Sequence, residues 1–236
     1  MFEQLLAERS ITLSEKQLEQ FALYYRELTE WNQKMNLTAI TEEEQVYVKH
    51  FYDSVSLSFF HPLDSVTSVA DIGSGAGFPS IPLKICFPHL RVTIIDSLKK
   101  RIGFLENLVE VLQLDHVTCV HGRAEDVAKL KQHREQYDLV TARAVARLNI
   151  LSEFCLPFVR LSGHFIAMKG SDAQAEIVEA EYAIRELGGK ILSDHAFQLP
   201  MEHSDRHIIV VEKVKATPAK YPRKAGTPVK EPLLKK

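Results

Sequence analysis

Three glycines at alternate positions, directly after an apolar stretch, constrain the fold of this chain more than any other feature. Within residues 69–79 an apolar, strand-like segment runs into Gly73, Gly75 and Gly77, and a helical pattern follows. Glycine is needed where the backbone approaches a ligand closely or adopts a positive φ. In open α/β sheets, ligands bind beyond the carboxyl ends of the strands. The segment therefore predicts a ligand-binding turn between a strand and a helix.

After Pro62, short β-branched stretches alternate with helical stretches. This alternation predicts a Rossmann-like α/β fold, with a mostly parallel sheet and helices on both faces. A seventh strand at Lys190–Phe197 is expected to pair antiparallel with Ile208–Val211 near the sheet edge. The other predicted strands are Ser68–Ile72, Val92–Asp96, Val117–His121, Leu139–Thr141, His164–Met168 and His207–Val211. The predicted helices are Ile81–Phe87, Ser97–Gln113, Asp126–Gln132, Asn149–Val159 and Ala173–Leu187.

The N-terminal part is expected to be a helical extension, residues 1–62, packed on a domain formed by residues 63–214. Apolar residues from Leu18 to Trp31 recur at spacings of three and four, which predicts an amphipathic helix. Residues 14–17 match a capping box at its start. A second helix is predicted from Glu42 to Phe60, because its apolar residues follow the same period.

The C-terminal part, residues 215–236, is expected to be an extended, basic tail. From Lys213 to the end there are eight Lys or Arg residues and one acid, a formal charge of +7, whereas the preceding 212 residues carry −9. Four prolines after Thr217 favour extended rather than helical backbone. A basic segment on an acidic body predicts an arm that binds phosphates. A disordered, solubilising end is the alternative interpretation.

Cysteine usage and hydropathy exclude several classes of protein. The three cysteines are far apart and form no Cys-x-x-Cys pair, so neither a zinc ribbon nor a disulfide framework is indicated. The N-terminus lacks the basic start and apolar run of a secretory signal, and no run of about 18 apolar residues is present. We expect a cytoplasmic protein with no metal site and no membrane partner.

The spacing of the glycines distinguishes between two kinds of nucleoside cofactor. The order is Gly-x-Gly-x-Gly, whereas dinucleotide-binding proteins use Gly-x-Gly-x-x-Gly. Asp71 lies two residues before Gly73, where an acid would disfavour a pyrophosphate and favour a cationic ligand. S-adenosylmethionine (AdoMet) carries an ammonium and a sulfonium and has no phosphate. The turn therefore favours AdoMet, with Asp71 accepting a hydrogen bond from the ammonium directly or through water.

Two further acids follow strands at the spacing that a nucleoside requires. Asp96 ends the second predicted strand, where a carboxylate can accept hydrogen bonds from both ribose hydroxyls. Ala124 and Glu125 follow the third strand, in a position to border an adenine. An acid at a strand end is often only a helix cap, and this alternative stays open for Asp96. Three acids in register with the glycine turn favour a complete cofactor pocket.

Motifs along the chain form a distinctive set: residues 31–38, His50 with Asp53-Ser54, residues 71–79 with Ile81-Pro82-Leu83, Asp96-Ser97, Lys100-Arg101, Ala124-Glu125, Arg143-Ala144, Lys169-Gly170 and residues 221–228. With this set the chain resembles the RsmG (GidB) family of bacterial ribosomal RNA small-subunit methyltransferases over nearly its whole length. The string at 221–228 is more distinctive than the glycine turn. Ser80 is a departure, because the family usually has another glycine there.

The resemblance implies AdoMet-dependent methylation of guanine N7 in the helix-18 loop of 16S ribosomal RNA, with the RNA or a precursor of the small ribosomal subunit as partner. It also implies cofactor contacts at Gly73, Phe78, Ala124, Glu125 and Arg143. The residues themselves add Asp71, Asp96, Gly75 and Gly77. Arg143 is interpreted as a ligand of the methionine carboxylate or of an RNA phosphate, and a surface ion pair with an acid is the alternative.

Methylation of guanine N7 removes no proton, because N7 carries a free lone pair. Alignment of the reacting atoms then supplies most of the catalysis, and we expect no essential general base. The RNA would be held mainly through its phosphates, by basic residues around the cofactor edge and in the tail. The candidates are Lys100, Arg101, Arg123, Arg147, Lys169, Lys220, Arg223 and Lys224. For the pair His50 and Asp53, we expect that it joins the N-terminal helices to the sheet, and contact with the target base is the alternative.

Other classes of protein share parts of this pattern. An NAD(P)-dependent oxidoreductase has the same order of strand, glycine turn, helix and acid, but the glycine spacing and Asp71 disfavour it. A methyltransferase of small molecules or proteins would leave the basic tail unexplained. A non-catalytic RNA-binding protein with a methyltransferase-like fold is the third alternative, and the intact acids Asp71, Asp96 and Glu125 count against it.

Overall fold

The computed structural model describes residues 1–235, and these residues form one seven-stranded sheet with helices packed on it. The strand order is β3-β2-β1-β4-β5-β7-β6. The strands β1 to β5 pair in parallel, and β7 pairs antiparallel with both β5 and β6. The predicted α/β fold and the antiparallel edge strand are therefore confirmed. The bounds are β1 Ser68–Ile72, β2 Arg91–Asp96, β3 Val117–His121, β4 Tyr137–Arg143, β5 Val159–Lys169, β6 Gly189–Gln198 and β7 Asp205–Lys213.

The glycine turn follows the central strand of the parallel part of the sheet. Asp71 in β1 is in register with Ile94 in β2 on one side and with Thr141 in β4 on the other. The chain passes from β3 to the opposite side of β1 when it enters β4, so the strand order reverses at this point. A reversal of strand order opens a crevice at the carboxyl ends of the strands, which is where ligands bind in such sheets.

Helices cover both faces of the sheet. One apolar cluster packs the N-terminal helices, including Phe21 and Phe51, against Leu105 and one face of the sheet. The opposite cluster contains Leu151 and Ala180. The helices are α1 Phe2–Ala7, α2 Glu15–Met35, α3 Glu43–Val46, α4 Asp53–Val55, α5 Leu57–Phe60, α6 Ser80–Cys86, α7 Lys99–Val111, α8 Ala124–Val127, α9 Leu148–Cys155, α10 Ala173–Glu186 and α11 Thr227–Lys230.

The long helix α2 begins at the predicted capping box. The backbone N–H of Ser14 donates to Oε1 of Gln17 at 2.8 Å, and the backbone N–H of Gln17 donates to Oγ of Ser14 at 3.3 Å. These two bonds satisfy donors that the first helical turn leaves without partners. The helix ends at Asn36, whose φ of +50° is left-handed.

The predicted continuous helix over residues 42–60 is wrong, because the segment is interrupted. A π-helical stretch, Tyr47–Tyr52, separates α3 from α4, and Ser56 separates α4 from α5. The hydroxyl of Ser54 donates to the carbonyl of His50, and that of Ser56 donates to the carbonyl of Asp53. Hydroxyls that bind backbone carbonyls compete with the regular helical hydrogen bonds. Short π-helical segments are frequent at functional sites, because they change the direction of side chains.

The sequence predicted a wholly extended tail, but the tail contains one helical turn, α11, at Thr227–Lys230. Gly226 precedes α11 with a φ of +84°. Pro228 lies in the first turn of the helix, where backbone N–H groups have no partner within the helix, so a proline is tolerated there. The tail also packs on the domain. The guanidinium of Arg134 donates to the carbonyl oxygens of Tyr221 and Thr217, both at 2.9 Å.

Other element bounds differ from the prediction. The helix expected at residues 126–132 is only the short α8, and the one expected at residues 149–159 ends at Cys155 before a 3₁₀ turn at Leu156–Phe158. The helix expected from Ser97 begins at Lys99 instead. In this last case the carboxylate of Asp96 accepts the backbone N–H of Leu98 at 2.8 Å, so the residues between strand and helix form a turn.

Candidate cofactor pocket and target cavity

The three predicted glycines all have positive φ, of +72° at Gly73, +63° at Gly75 and +102° at Gly77. A Cβ at Gly77 would lie 2.6 Å from the hydroxyl oxygen of Tyr24, which itself donates to the carbonyl of Ala76 at 2.6 Å. Gly77 is therefore required for packing against α2. A Cβ at Gly75 would meet nothing within 4 Å, so this residue leaves open space over the turn.

Asp71 lies beneath the turn and is fully buried. Its Oδ2 accepts the hydroxyl of Ser74 at 2.6 Å and the backbone N–H of Ser80 at 3.2 Å. Its Oδ1 has no hydrogen-bond partner among the described residues. Burial raises the pKa of Asp71 to about 6. The carboxylate holds the turn from inside, and Ser80, the departure from the family pattern, contributes to this anchor.

A cavity of about 330 Å³ lies beside the turn, at the carboxyl ends of β1, β2 and β4. Asp96 closes one end, where its Oδ2 accepts the backbone N–H of Gly75 at 3.2 Å. The carboxylate thus joins the end of β2 to the glycine turn. Its bond to the backbone N–H of Leu98 lies in the turn before α7, and Leu98 is itself the N-cap of that helix, so the capping role left open for Asp96 is not present. We call this space the cofactor cavity. It is lined by Ile72, Gly73, Ile95, Asp96, Ser97, Arg101, Gly122, Arg123, Ala124, Glu125, Ala144, Val145, Phe154 and Val229.

Glu125 also lines the cavity, next to Ala124 on α8. Its Oε1 accepts the backbone N–H of Gly226 at 2.9 Å, so this acid also contacts the C-terminal segment. Val145 also lines the cavity and packs close to Gly73, because a Cβ at Gly73 would lie 2.9 Å from its side chain. No local motif predicts the contact with Gly226, which joins residues 101 positions apart.

A second cavity, of about 510 Å³, lies between the N-terminal helices and the ends of β4, β5 and β7. Ala144 lines both cavities, so they adjoin at the end of β4. We call this second space the target cavity. It is lined by Ile40, Lys49, His50, Asp53, Arg143, Ala144, Met168, Lys169, Gly170, Ser171, Asp172, Glu176, Arg206, His207 and Ile208.

Arg143 and Asp53 both line the target cavity and form an ion pair with each other. A guanidinium nitrogen of Arg143 lies 2.9 Å from Oδ2 of Asp53, and Nε of Arg206 lies 3.2 Å from its Oδ1. The Arg143 guanidinium also lies over the Phe78 ring, 4.8 Å from its centre, where the ring face attracts a cation. The alternative that Arg143 pairs with an acid is thus present, but the pair is not at the surface: Asp53 is buried and Arg143 is half-buried. Reasoning from sequence missed Arg206, which had no local motif.

His50 joins the π-helical stretch to the glycine turn. Its Nε2 lies 2.8 Å from Oγ1 of Thr38, and its ring stacks on Phe78 with centres 4.6 Å apart. Burial, together with the nearby charge of Arg143, lowers the pKa of His50 to about 3. The imidazole is therefore neutral near pH 7. His50 and Asp53 both bind neighbours that connect the N-terminal helices to the sheet, as expected.

The predicted RNA-binding residues differ in their surroundings. Ion pairs bind Arg147 to Glu179, Lys169 to Glu176, Lys220 to Glu186 and Arg223 to Glu153. Arg101 lies 3.6 Å from Asp96, whereas Lys100, Arg123 and Lys224 are exposed and form no ion pair with the described residues. The residues without an ion pair therefore remain the better candidates for phosphate contacts, and the paired ones, of which Arg147 and Lys220 are also exposed, have acidic partners.

A basic groove of about 640 Å³ borders the cofactor cavity and shares Ser97 and Arg101 with it. Lys34 at the end of α2 contributes to the groove, although the sequence had not singled it out. Its other cationic residues are Lys99, Lys100 and Arg101 at the start of α7. The groove thus has the charge expected of a surface that holds a nucleic-acid backbone.

Within residues 1–235, no group of three or more His, Cys, Asp or Glu side chains is arranged to hold a metal ion. In the same part of the chain, no helix combines the length and the apolar character needed to cross a bilayer.

The model of the family described as rRNA small subunit methyltransferase G (GidB) matches residues 17–209. The chain belongs to this family. A protein of Brevibacillus brevis named ribosomal RNA small subunit methyltransferase G is 58% identical over 233 residues, which cover 99% of this chain and 98% of that protein. A Bacillus pumilus protein of the same name is 60% identical over 228 residues, covering 97% and 95%. The resemblance read from the motifs is confirmed.

Solved structures of distant sequence support the fold. TYW2 of M. jannaschii, in complex with AdoMet, has a TM-score of 0.54 at 14% identity and covers 70% of this chain and 76% of its own. TrmN of Thermus thermophilus has a TM-score of 0.53 at 14% identity, covering 71% and 53%. At this identity the similarity establishes only the architecture, which is shared with a protein that binds AdoMet.

Proposed function

We propose that this chain transfers a methyl group from AdoMet to N7 of a specific guanine in the helix-18 loop of 16S ribosomal RNA. Membership of the GidB family, with relatives named ribosomal RNA small subunit methyltransferase G, supports the reaction class and the RNA substrate. The observation that carries the proposal is the pair of cavities that adjoin at Ala144. One holds the cofactor beside the glycine turn, and the other receives the target base.

The cofactor cavity fits AdoMet in the chemistry of its walls. The turn has no Cβ at Gly73 and Gly75, so the backbone can approach a ligand. Asp96, at the end of β2, is placed to accept hydrogen bonds from ribose hydroxyls, and Ala124 with Glu125 is placed to border the adenine. AdoMet supplies a methyl group on a positively charged sulfur. Asp71 is buried below the turn, so we infer that it acts on the ligand through the shape of the turn.

The charges of the target cavity suit a base that becomes cationic when N7 is methylated. The Asp53 carboxylate lies against both Arg143 and Arg206, and Asp172 adds a second negative charge to the cavity. Lys49 and Lys169 are paired with Glu202 and Glu176. His50 is neutral because its pKa is lowered to about 3. The developing positive charge therefore meets little repulsion. No proton is abstracted from N7, so the residues of the cavity only align the base with the methyl group.

The RNA would be held by the basic groove and by the exposed cations at the rim of the cofactor cavity. Loop guanines can be splayed from their neighbours, which lets a base enter the target cavity. Binding through phosphates releases counterions, so affinity is expected to fall steeply between about 50 and 200 mM salt. Lys34, Lys100 and Arg123 are the residues whose charge should set this salt dependence.

The test combines cofactor binding with mapping of the product. Calorimetry with AdoMet and with NAD separates a methyltransferase from an oxidoreductase. Labelled AdoMet is then mixed with small subunits, and separately with naked 16S RNA, from cells that lack this protein. We expect saturable AdoMet binding, no NAD binding and one labelled guanine in the helix-18 loop. Binding of AdoMet without label in RNA would favour a non-catalytic RNA-binding protein, and label at another atom or nucleotide would refute the assigned target.

A further inference from the structure

The C-terminal segment, residues 217–231, touches the cofactor cavity rather than projecting away from the domain. We propose that this segment is the outer wall of the AdoMet site and that the ion pair between Arg223 and Glu153 is the positioning element that holds it there. The inference rests on the proposed AdoMet site and goes beyond it. It assigns a cofactor role to a basic tail whose charge alone indicated an arm for RNA.

The first anchor is a buried ion pair. Glu153 on α9 is 1% exposed, and its Oε2 lies 2.6 Å from a terminal guanidinium nitrogen of Arg223. Its Oε1 also accepts the backbone N–H of Arg223 at 2.8 Å and its Nε at 3.0 Å. A carboxylate that accepts from both backbone and guanidinium fixes the position and the direction of the chain at this residue. The segment is thereby fixed close to α9.

The second anchor joins the segment to the cofactor cavity itself. The backbone N–H of Gly226 donates to Oε1 of Glu125 at 2.9 Å, and the φ of Gly226 is +84°. The left-handed turn at Gly226 directs the following helix α11 towards the cavity, where Val229 is a lining residue. The chain therefore contacts Glu125, a predicted adenine-binding residue, at Gly226, and it contributes a lining residue of the cavity at Val229.

Two features of this wall point to a ligand. Val229 is 57% exposed although it lines a cavity, so an apolar side chain stands at the opening with little protein around it. Glu125 as a whole residue is 4% exposed, and its Oε2 accepts no hydrogen bond from the described residues but remains accessible. A bound nucleoside would cover the side chain of Val229 and donate a hydrogen bond to Oε2 of Glu125. The adenine end of AdoMet has the apolar face and the amino group for both contacts.

The test measures AdoMet binding by calorimetry in the full-length protein and in three variants. Val229→Ala removes two exposed methyl groups and should raise the Kd for AdoMet by roughly 3- to 10-fold, as expected for lost apolar contact. Arg223→Ala releases the first anchor and should raise the Kd about tenfold or more. Lys230→Ala changes an exposed neighbour on the same helical turn and should leave the Kd unchanged. At saturating AdoMet, kcat should be retained in Val229→Ala while KM for AdoMet rises.

Hydrogen exchange provides a readout that a purely structural tail would not move. AdoMet should slow amide exchange within residues 217–231 in the wild-type protein and should do so less in Arg223→Ala. Because Val229 is exposed, its variant tests the wall even where loss of the buried ion pair lowers stability. Unchanged AdoMet affinity in Val229→Ala and Arg223→Ala, together with weaker RNA binding, would overturn the inference in favour of an RNA arm. Failure of the wild-type protein to bind AdoMet would instead refute the proposed function.

Discussion

Replacement of the glycines in the turn by alanine separates their packing role from their role in opening space. Gly75 and Gly77 both have left-handed φ, so each alanine variant carries the backbone strain of an L-residue, about 1–2 kcal/mol. Only at Gly77 would the new Cβ also collide, at 2.6 Å from the hydroxyl of Tyr24 and 2.9 Å from the side chain of Ile81. Such overpacking costs roughly a further 1–3 kcal/mol.

These terms predict a loss of about 1–2 kcal/mol of stability for Gly75→Ala and of about 2–5 kcal/mol for Gly77→Ala. For a chain of this length, 1 kcal/mol shifts Tm by about 2–4 °C. The Tm of Gly75→Ala should then fall by roughly 2–8 °C, and that of Gly77→Ala by roughly 4–20 °C. Because Tyr24 belongs to α2, the larger loss at Gly77 should include loosening of the N-terminal helices.

The assay is urea unfolding followed by fluorescence, with thermal unfolding as a second measurement. Each variant is compared with the wild-type protein at equal concentration and without AdoMet, so that ligand binding does not contribute. Equal destabilisation of the two variants would refute the argument, because it would mean that the contact between Gly77 and Tyr24 has no energetic weight. A larger loss at Gly75 would show that the open space above the turn is filled in solution.

Two further predictions concern individual side chains. In Asp96→Asn, calorimetry should show AdoMet affinity lowered about 10- to 150-fold, since a hydrogen bond to a charged group contributes roughly 1.5–3 kcal/mol; an unchanged Kd would contradict the assignment of the ribose site. Burial and the charge of Arg143 lower the pKa of His50 to about 3 in the folded protein. The unfolded chain therefore binds a proton at His50 more tightly than the folded protein does. As a result, the folded protein loses stability as pH falls from about 6.5 towards 3. In His50→Gln this part of the loss should be absent from urea midpoints measured across that range, and parallel profiles for the two proteins would refute it.

The sequence predicted the sheet well because its signals are local. The parallel strands β1, β2 and β3 are short β-branched runs, and the turn at Gly73–Gly77 carries its own conformational requirement. The ends of β1 and β2 were predicted to the residue, since a glycine and an acid mark them. Asp96 lines the cofactor cavity for the same reason, and its contact with the ribose stays a prediction. Strand ends in a parallel sheet must meet at one edge, so topology converts such local signals into a site.

The remaining features depend on contacts between distant parts of the chain. The π-helical stretch at Tyr47–Tyr52 has the apolar period of an ordinary helix, and only the hydroxyl contacts of Ser54 and Ser56 in the folded state reveal the interruption. From the sequence, Arg223 was interpreted as one more cation in a basic segment. Its buried partner, Glu153, lies 70 positions away. Composition gives the sign of a charge but not its partner, and five of the eight predicted RNA-contact residues proved to have ion-pair partners.

Phe78 shows why the N-terminal helices belong to the site rather than merely covering the sheet. Its ring lies against Tyr24 on one side, stacks on His50 on another and carries the guanidinium of Arg143 over its face. Phe78 follows Gly77 directly, so any shift of the glycine turn is transmitted to the residues of the target cavity. The glycine turn and two residues that line the target cavity, His50 and Arg143, therefore share contacts with one aromatic ring, and we expect this ring to help set the distance between the two spaces. A reaction that depends on alignment, with no proton to transfer, places its main demand on that distance.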